Sequence, residues 1–376
     1  MPKQRQTVQQ LPEVMPLAEH AAVAPLPAGQ EESFVAIDPL EYPGWDSLLA
    51  PHASASIFHG AGWARVLHET YGHTPVYLCQ FDGGKLVALL PIMEVSSRLT
   101  GRRGVSLPFT DFCPALKAND QNASALYHAA MTEGQKRGWK YLECRSDDED
   151  WTNASTSLSF YGHVIDLRGG VDEVFKRLDS SVRRGIRKAE GAGLQVEFSS
   201  SRQAMQTYYA LHCQTRRRHG LPPQPFRFFE NIQRYVLEPG QGFVVTVRLK
   251  EQPIAAGMFF CYGRQGLYKF GASDFAFQQL RPNNLMMWAG IRHCVELGMT
   301  SLHLGRTSLG NEGLRRFKMG LGATEEVVKY SKYDFLSKQF VTDVDRAEGG
   351  WFNRVFASLP LPFLRLAGQM LYPHLS

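Results

Sequence analysis

Two groups of basic residues stand out by type and spacing. The first is Arg183, Arg184, Arg187 and Lys188, four cations within six positions. Arg183 with Arg187, and Arg184 with Lys188, lie one helical turn apart. They occupy the polar side of a stretch whose apolar residues, Val174, Leu178, Val182, Ile186 and Ala189, recur at helical spacing. Guanidinium groups so placed hold a phosphate or diphosphate through forked hydrogen bonds. A solvated helix face is the bland alternative, and the nearly single sign of the run speaks against it.

The second group is Gly305-Arg306-Thr307, then Gly313-Leu314-Arg315-Arg316-Phe317-Lys318, with Gly320 and Gly322 behind. It follows a strand expected over 301–304, and in α/β folds ligands gather at the carboxyl ends of strands. A lysine there, Lys318, can stabilise a developing oxyanion or exchange a proton. A third run, Arg216-Arg217-Arg218-His219, ends a helical stretch, where the helix dipole alone favours cations. Other chemistries lack their residues. There is no GxSxG elbow and no GxxxxGK[ST] loop, and no histidines and carboxylates stand at metal-ligand spacing. A resident metal is therefore not expected.

The elements that must position these groups read as a repeated order. A strand at 34–37 and a helix over 57–70 precede a hairpin, 76–81 with 85–95, across Asp82-Gly83-Gly84. An irregular stretch follows. Then come a helix over 123–137 stopped by Gly138 and a strand over 140–144. The second half repeats this: a hairpin, 243–249 with 254–262, a strand at 267–270, a helix over 285–297 stopped by Gly298, and a strand at 301–304. The turn positions Asp82 and Glu251, and the stops Gly138 and Gly298, are about 160 to 170 positions apart, which argues for two copies of one domain. The fold expected is α/β, two tandem domains each built on a mixed twisted sheet flanked by helices. The boundaries are a disordered tail over 1–33, a first domain over 34–167, a second over 168–335 that starts with the basic helix, and an apolar helical extension over 336–376.

The ordered set of motifs resembles the Fem-type branch of the GNAT acyltransferases. It comprises Phe58-His59-Gly60-Ala61-Gly62-Trp63, Leu90-Pro91-Ile92, Val105-Ser106-Leu107-Pro108-Phe109, Val182 through Glu190, Arg281-Pro282-Asn283-Asn284, Gly305-Arg306-Thr307 and Arg316-Phe317-Lys318. The resemblance spans roughly 34–335 and implies two GNAT-like domains. It implies acyl transfer to an amine, as Fem-type enzymes move an amino acid from aminoacyl-tRNA to the peptide of a peptidoglycan precursor, while related proteins tied to exopolysaccharide production are labelled N-acetyltransferases. By the same resemblance Lys318 after Phe317 assists acyl transfer with Arg306 beside it. Arg183, Arg184, Arg187 and Lys188 then face a precursor's diphosphate, and Arg65 is the first-domain counterpart. The chain departs from the family twice. No heptad-patterned arm is inserted in the second domain, as an aminoacyl-tRNA user often has. Arg98-Leu99-Thr100-Gly101-Arg102-Arg103, though similar to a coenzyme A phosphate loop, has Arg103 where a small residue is needed. The donor, acyl-CoA or aminoacyl-tRNA, stays open, and no tightly bound cofactor is expected.

Composition narrows the setting. A formal net charge of +5 over 376 residues suits an anionic ligand without demanding nucleic acid. The six cysteines show no CxxC spacing and read as buried cytosolic thiols. No stretch approaches the roughly 20 apolar residues of a spanning helix. The expected location is the cytoplasm, with the inner face of the cell membrane as a possible station. Trp351, Phe352, Val355, Phe356 and Leu359 give the extension an apolar face with two open destinations, a membrane bearing lipid-linked substrates or the protein's own surface. Three functions follow: an N-acyltransferase acting on an envelope or exopolysaccharide precursor, an aminoacyl-tRNA-dependent peptidoglycan bridge former, and a silent GNAT pair in a polysaccharide assembly complex.

Overall fold

The computed structural model describes residues 34–118, 121–146, 155–343 and 351–375; the tail expected over 1–33 lies outside them. The described residues fall into two compact units. The N-terminal unit holds 34–161, 327–343 and 370–375, and the central unit holds 162–326 and 351–369.

The N-terminal unit runs through β1 (Val35–Ile37), α1 (Ala61–Tyr71), β2 (Tyr77–Asp82), β3 (Lys85–Leu90), β4 (Met93–Ser97), β5 (Gly101–Val105), α2 (Gln121–Arg137) and β6 (Tyr141–Cys144). Strands β2 and β3 form the expected hairpin. Its two-residue turn needs positive φ at both centres, met by Gly83 at 51° and Gly84 at 77°. The helix expected over 57–70 is divided: Ile57–His59 is one 3₁₀ turn, and α1 starts after the extended Gly60. The stretch read as irregular contains β5, paired antiparallel with β4 and parallel with β6. Arg103 is buried on β5, where it donates to Thr100 Oγ1 and to the carbonyl of His374. The segment similar to a phosphate loop is thus a strand turn with its guanidinium already engaged.

Strand β7 (Thr156–Asp166) leads into the central unit, which continues with α3 (Gly170–Arg177), α4 (Ser180–Gly191), β8 (Leu194–Ser199), α5 (Arg202–Arg218), α6 (Phe226–Ile232), β9 (Gly242–Leu249), β10 (Gln252–Tyr262), β11 (Gln265–Ser273), α7 (Pro282–Glu296), β12 (Ser301–His303), α8 (Glu312–Gly320) and β13 (Thr324–Asp334). The sheet order is β8-β9-β10-β11-β12-β7. Pairing is antiparallel except between β11 and β12, which are parallel because the helix α7 crosses between them. Those two strands share only Gln265↔Ser301, Gly266↔Leu302 and Leu267↔His303 before they part.

The apolar stripe at 174–189 is buried throughout, with Val174, Leu178, Val182, Ile186 and Ala189 packed in one core with Trp288 and Ile291 of α7 and Phe259 of β10. It lies on two helices, α3 and α4. Leu178 is extended between them, and the Asp179 amide donates to the Gly320 carbonyl at 2.9 Å. Strand β13 gives 324–326 to the central unit and its remainder to the N-terminal one, where Ser331 to Asp334 pair with β6. Residues 327–335 were expected in the second domain; non-local pairing decides where they belong.

The C-terminal helices α9 (Trp351–Ser358) and α10 (Leu361–Leu371) complete the chain. Helix α9 packs on α5. A Cβ at Gly220, which follows α5 at φ 64°, would lie 2.1 Å from the Asn353 carbonyl oxygen, so the two backbones touch. On α10, Leu364 is fully buried, Gly368 meets the Pro223 carbonyl, and the Arg365 guanidinium lies over the Tyr209 ring. The inner face of the extension is docked on the protein.

Candidate active site

Three elements of the central unit converge on one cleft of about 590 Å³. Helix α4 contributes Arg184 and Lys188, the start of α7 contributes Arg281, and α8 contributes Arg316. Asp179 is the single carboxylate in the lining. Gly185 sets the closeness of α4 and α7: a Cβ there would come within 3.0 Å of Asn284 Cγ. The first turn of α7 therefore lies directly against the basic helix. Arg281 precedes α7 in the left-handed region (φ 60°, ψ 40°), and Pro282 occupies the first helical position, where its missing N–H costs nothing. No side chain caps this end. The positive end of the helix dipole adds to the four cations. Such a lining binds phosphate groups by charge-assisted hydrogen bonds.

The two pairs on α4 are not equivalent. Arg184 and Lys188 line this cleft; Arg183 and Arg187 line a shallower one of about 490 Å³ with Phe175 and Lys176, and Arg184 borders both. Arg183 is tethered by donating to the Lys176 carbonyl at 3.0 Å.

Helix α8 distributes three consecutive residues in three directions. Arg316 is exposed in the cleft. Phe317 lines the cleft and packs against the core. Lys318 points inward and is only 4% exposed. Its ammonium donates to the Gly305 carbonyl at 2.8 Å and the Arg306 carbonyl at 3.0 Å, at the point where the chain leaves β12. Arg306 is half-buried at the same strand end.

A polar group that the sequence did not reveal surrounds this strand end. His163, on β7, is fully buried. Its pKa is lowered to about 4, first by burial and then by the positive charge of Lys318. Its Nε2 lies 3.4 Å from Glu325 Oε2, and Arg315 grips the Glu325 carboxylate through two bonds of 2.7 and 2.9 Å. That grip lowers the pKa of Glu325. His303 accepts from the Gly305 amide through Nδ1 at 2.9 Å, with Nε2 3.3 Å from Glu326 Oε1. The Thr307 hydroxyl is buried without a hydrogen bond among the described residues. A lone histidine in a strand gives no periodic signal, so His163 and His303 were illegible beforehand. Arg281 and Arg316 stood inside motifs already singled out, but nothing in their spacing said that they share a cleft. Arg65 lies half-buried on α1, in the N-terminal unit. No cluster of three metal-ligating side chains occurs among the described residues.

Residues 176–324 match the family model described as "Acetyltransferase (GNAT) domain". From α3 to the start of β13 the chain is therefore similar to GNAT acetyltransferase domains. Among solved structures, the chain shares its fold with FemX (15% identity, TM-score 0.62, 79% of this chain and 96% of that one). It is similar also to L-PGS from Bacillus licheniformis (12%, 0.53, 87% and 95%) and to a tandem GNAT protein from the clavulanic acid biosynthesis pathway (10%, 0.51, 80% and 98%). No curated protein sequence matches the chain. The chain thus shares its fold with FemX and with a tandem GNAT protein.

Proposed function

We propose that the chain moves an acyl or aminoacyl group from a phosphate-bearing carrier to an amine of a cell-envelope or exopolysaccharide precursor, on the cytoplasmic side. The observation behind this reading is the placement of α8, which turns Arg316 and Phe317 into the four-cation cleft and Lys318 onto the neighbouring strand end. Carrier phosphates held by Arg184, Lys188, Arg281 and Arg316 would bring the activated carbonyl to the strand end beside Lys318. The acceptor amine attacks that carbonyl, the oxygen gains negative charge, and a nearby ammonium stabilises it. The tetrahedral intermediate then expels the carrier's thiol or hydroxyl, and the amine's proton leaves with it or passes to solvent. No covalent enzyme intermediate is required. The six cysteines are free and buried, as suits a reducing compartment.

The second cleft is the observation in favour of an aminoacyl-tRNA donor, because Arg183 and Arg187 line a basic surface next to the first cleft, with Arg184 bordering both. On that reading the product is a bridged peptidoglycan peptide. The two donors separate by calorimetry with coenzyme A and with a short RNA duplex ending in CCA. Arg184→Ala with Arg316→Ala should weaken either ligand at least tenfold in low salt, and by less in high salt as screening removes the shared attraction. Arg183→Ala with Arg187→Ala should weaken the RNA alone. Undiminished binding of both probes by the Arg184/Arg316 variant would remove the cleft from the reading.

A further inference from the structure

The segment joining β11 to α7 carries an aromatic ring that the fold does not bury. Phe275–Leu280 form 3₁₀ turns, opened by Asp274, whose carboxylate accepts from the Ala276 amide at 3.0 Å. Phe277 and Leu280, three apart and so on one side of such turns, pack against the core. Phe275 is off that side and 55% exposed. Its ring carries instead the exposed guanidinium of Arg218, from the last turn of α5, 4.9 Å from the ring centre.

Hydrogen bonds tie this pair to the start of α7. Thr215, on α5 just before Arg218, accepts from the Ser273 amide at 3.2 Å and donates to the Ser273 carbonyl at 3.3 Å. Ser273 Oγ accepts in turn from Asn283 Nδ2 at 3.2 Å. Asn283 stands between Arg281 and Asn284, which both line the cation cleft. The 3₁₀ segment from Phe275 is 6 residues long and ends at Arg281. At about 2.0 Å per residue it spans roughly 12 Å, within reach of a nucleotide whose phosphate sits at Arg281. We propose that Phe275 and Arg218 form a platform on which the adenine of the phosphate-bearing carrier stacks, the base on the open face of the ring and the guanidinium on the other. Aromatic rings take bases by their π-faces, and a cation across the ring adds to the attraction. Coenzyme A and the 3′ end of a tRNA both carry an adenine near their phosphates, so the platform serves either donor. One ring matches one base, whereas a protein partner needs about 800 Å². This inference rests on the carrier reading of the cleft and adds the group that tells a nucleotide from other phosphates.

The test is calorimetry of the full chain with two base-bearing probes, coenzyme A and the RNA duplex ending in CCA. Each has a base-free counterpart, inorganic pyrophosphate and the same duplex with an abasic 3′ residue. Phe275→Ala should weaken at least one base-bearing probe by at least fivefold and leave both counterparts unchanged. Its melting curve should match wild type, since the ring is exposed. Phe275→Tyr should restore binding, and the probe that responds identifies the source of the adenine. The proposal is overturned if Phe275→Ala binds both base-bearing probes like wild type, or weakens the base-free probes equally. The cleft is read separately, by pyrophosphate binding to Arg184→Ala with Arg316→Ala. Loss there beside an inert Phe275→Ala would keep the cleft and strike the platform. Wild-type protein that binds neither base-bearing probe would overturn both.

Discussion

Lys318 is both a candidate catalytic group and a clamp. Its two bonds to the Gly305 and Arg306 carbonyls hold the strand end in place, so removing the ammonium leaves two carbonyls without their donor. A net cost of roughly 1–3 kcal/mol in stability is expected for Lys318→Met, because charge-assisted bonds in a buried setting exceed neutral ones. If the lysine also stabilises the oxyanion, turnover per folded molecule should fall on the order of 10²- to 10³-fold as well. A chemical-denaturation curve beside single-turnover kinetics separates the two roles: loss of stability with full turnover would leave Lys318 a structural residue and take it out of the mechanism. The resemblance suggested the catalytic role, whereas the clamp was invisible in sequence, because both carbonyls belong to a strand end that only packing brings under α8.

At the scale of elements, the docking of α9 and α10 rests on few contacts. Leu364 is fully buried, and truncating a buried leucine to alanine removes about 2–5 kcal/mol. Gly220→Ala would force a methyl group against the Asn353 carbonyl at a positive φ, for a penalty of roughly 1–3 kcal/mol. Both variants should lower the urea midpoint while leaving the slope near wild type. Neutral effects of both would mean that the C-terminal helices are not docked on the central unit. The apolar periodicity of 351–371 was plain from the sequence, but periodicity shows only that a helix has a face. Which residues turn inward was settled by where α5 offers glycine and backbone to receive them.

Across the whole molecule, buried imidazoles set the response to acid. His59 and His163 have pKa values lowered to about 4, and His73 and His212 to about 3, in each case chiefly by burial. The unfolded chain protonates these groups near the ordinary 6.5, while the folded protein excludes the proton until much lower pH. Stability is therefore fully present above about pH 6.5 and is lost as pH falls toward 4, at up to about 1.4 kcal/mol per pH unit for each group. Melting temperatures should fall steeply between pH 6.5 and 4. His212→Gln, which keeps a polar group between Tyr208 and Gln224, should flatten that decline by about one proton. An unchanged acid slope in calorimetric melts of that variant would exclude His212 from the effect.

These histidines also mark the division between what one dimension and three dimensions decide. The sequence by itself determined part of the element order, both hairpins and the helices stopped by Gly138 and Gly298, while β5 and the break between α3 and α4 escaped it. The hairpin turns, the glycine stops and the stripe from Val174 to Ala189 are local, and a chain states its own period wherever a face is buried. It also determined that cations cluster at 183–188 and 306–318. Only the tertiary structure decided that Arg184 and Lys188 share a cleft with Arg281 and Arg316 while Arg183 and Arg187 border another, and that His163 lies beside Lys318. The reason is physical. The environment of a charge depends on which elements the sheet brings against it, and pairings between residues as distant as β7 and β12 are fixed by the packing of the whole unit and by no local pattern.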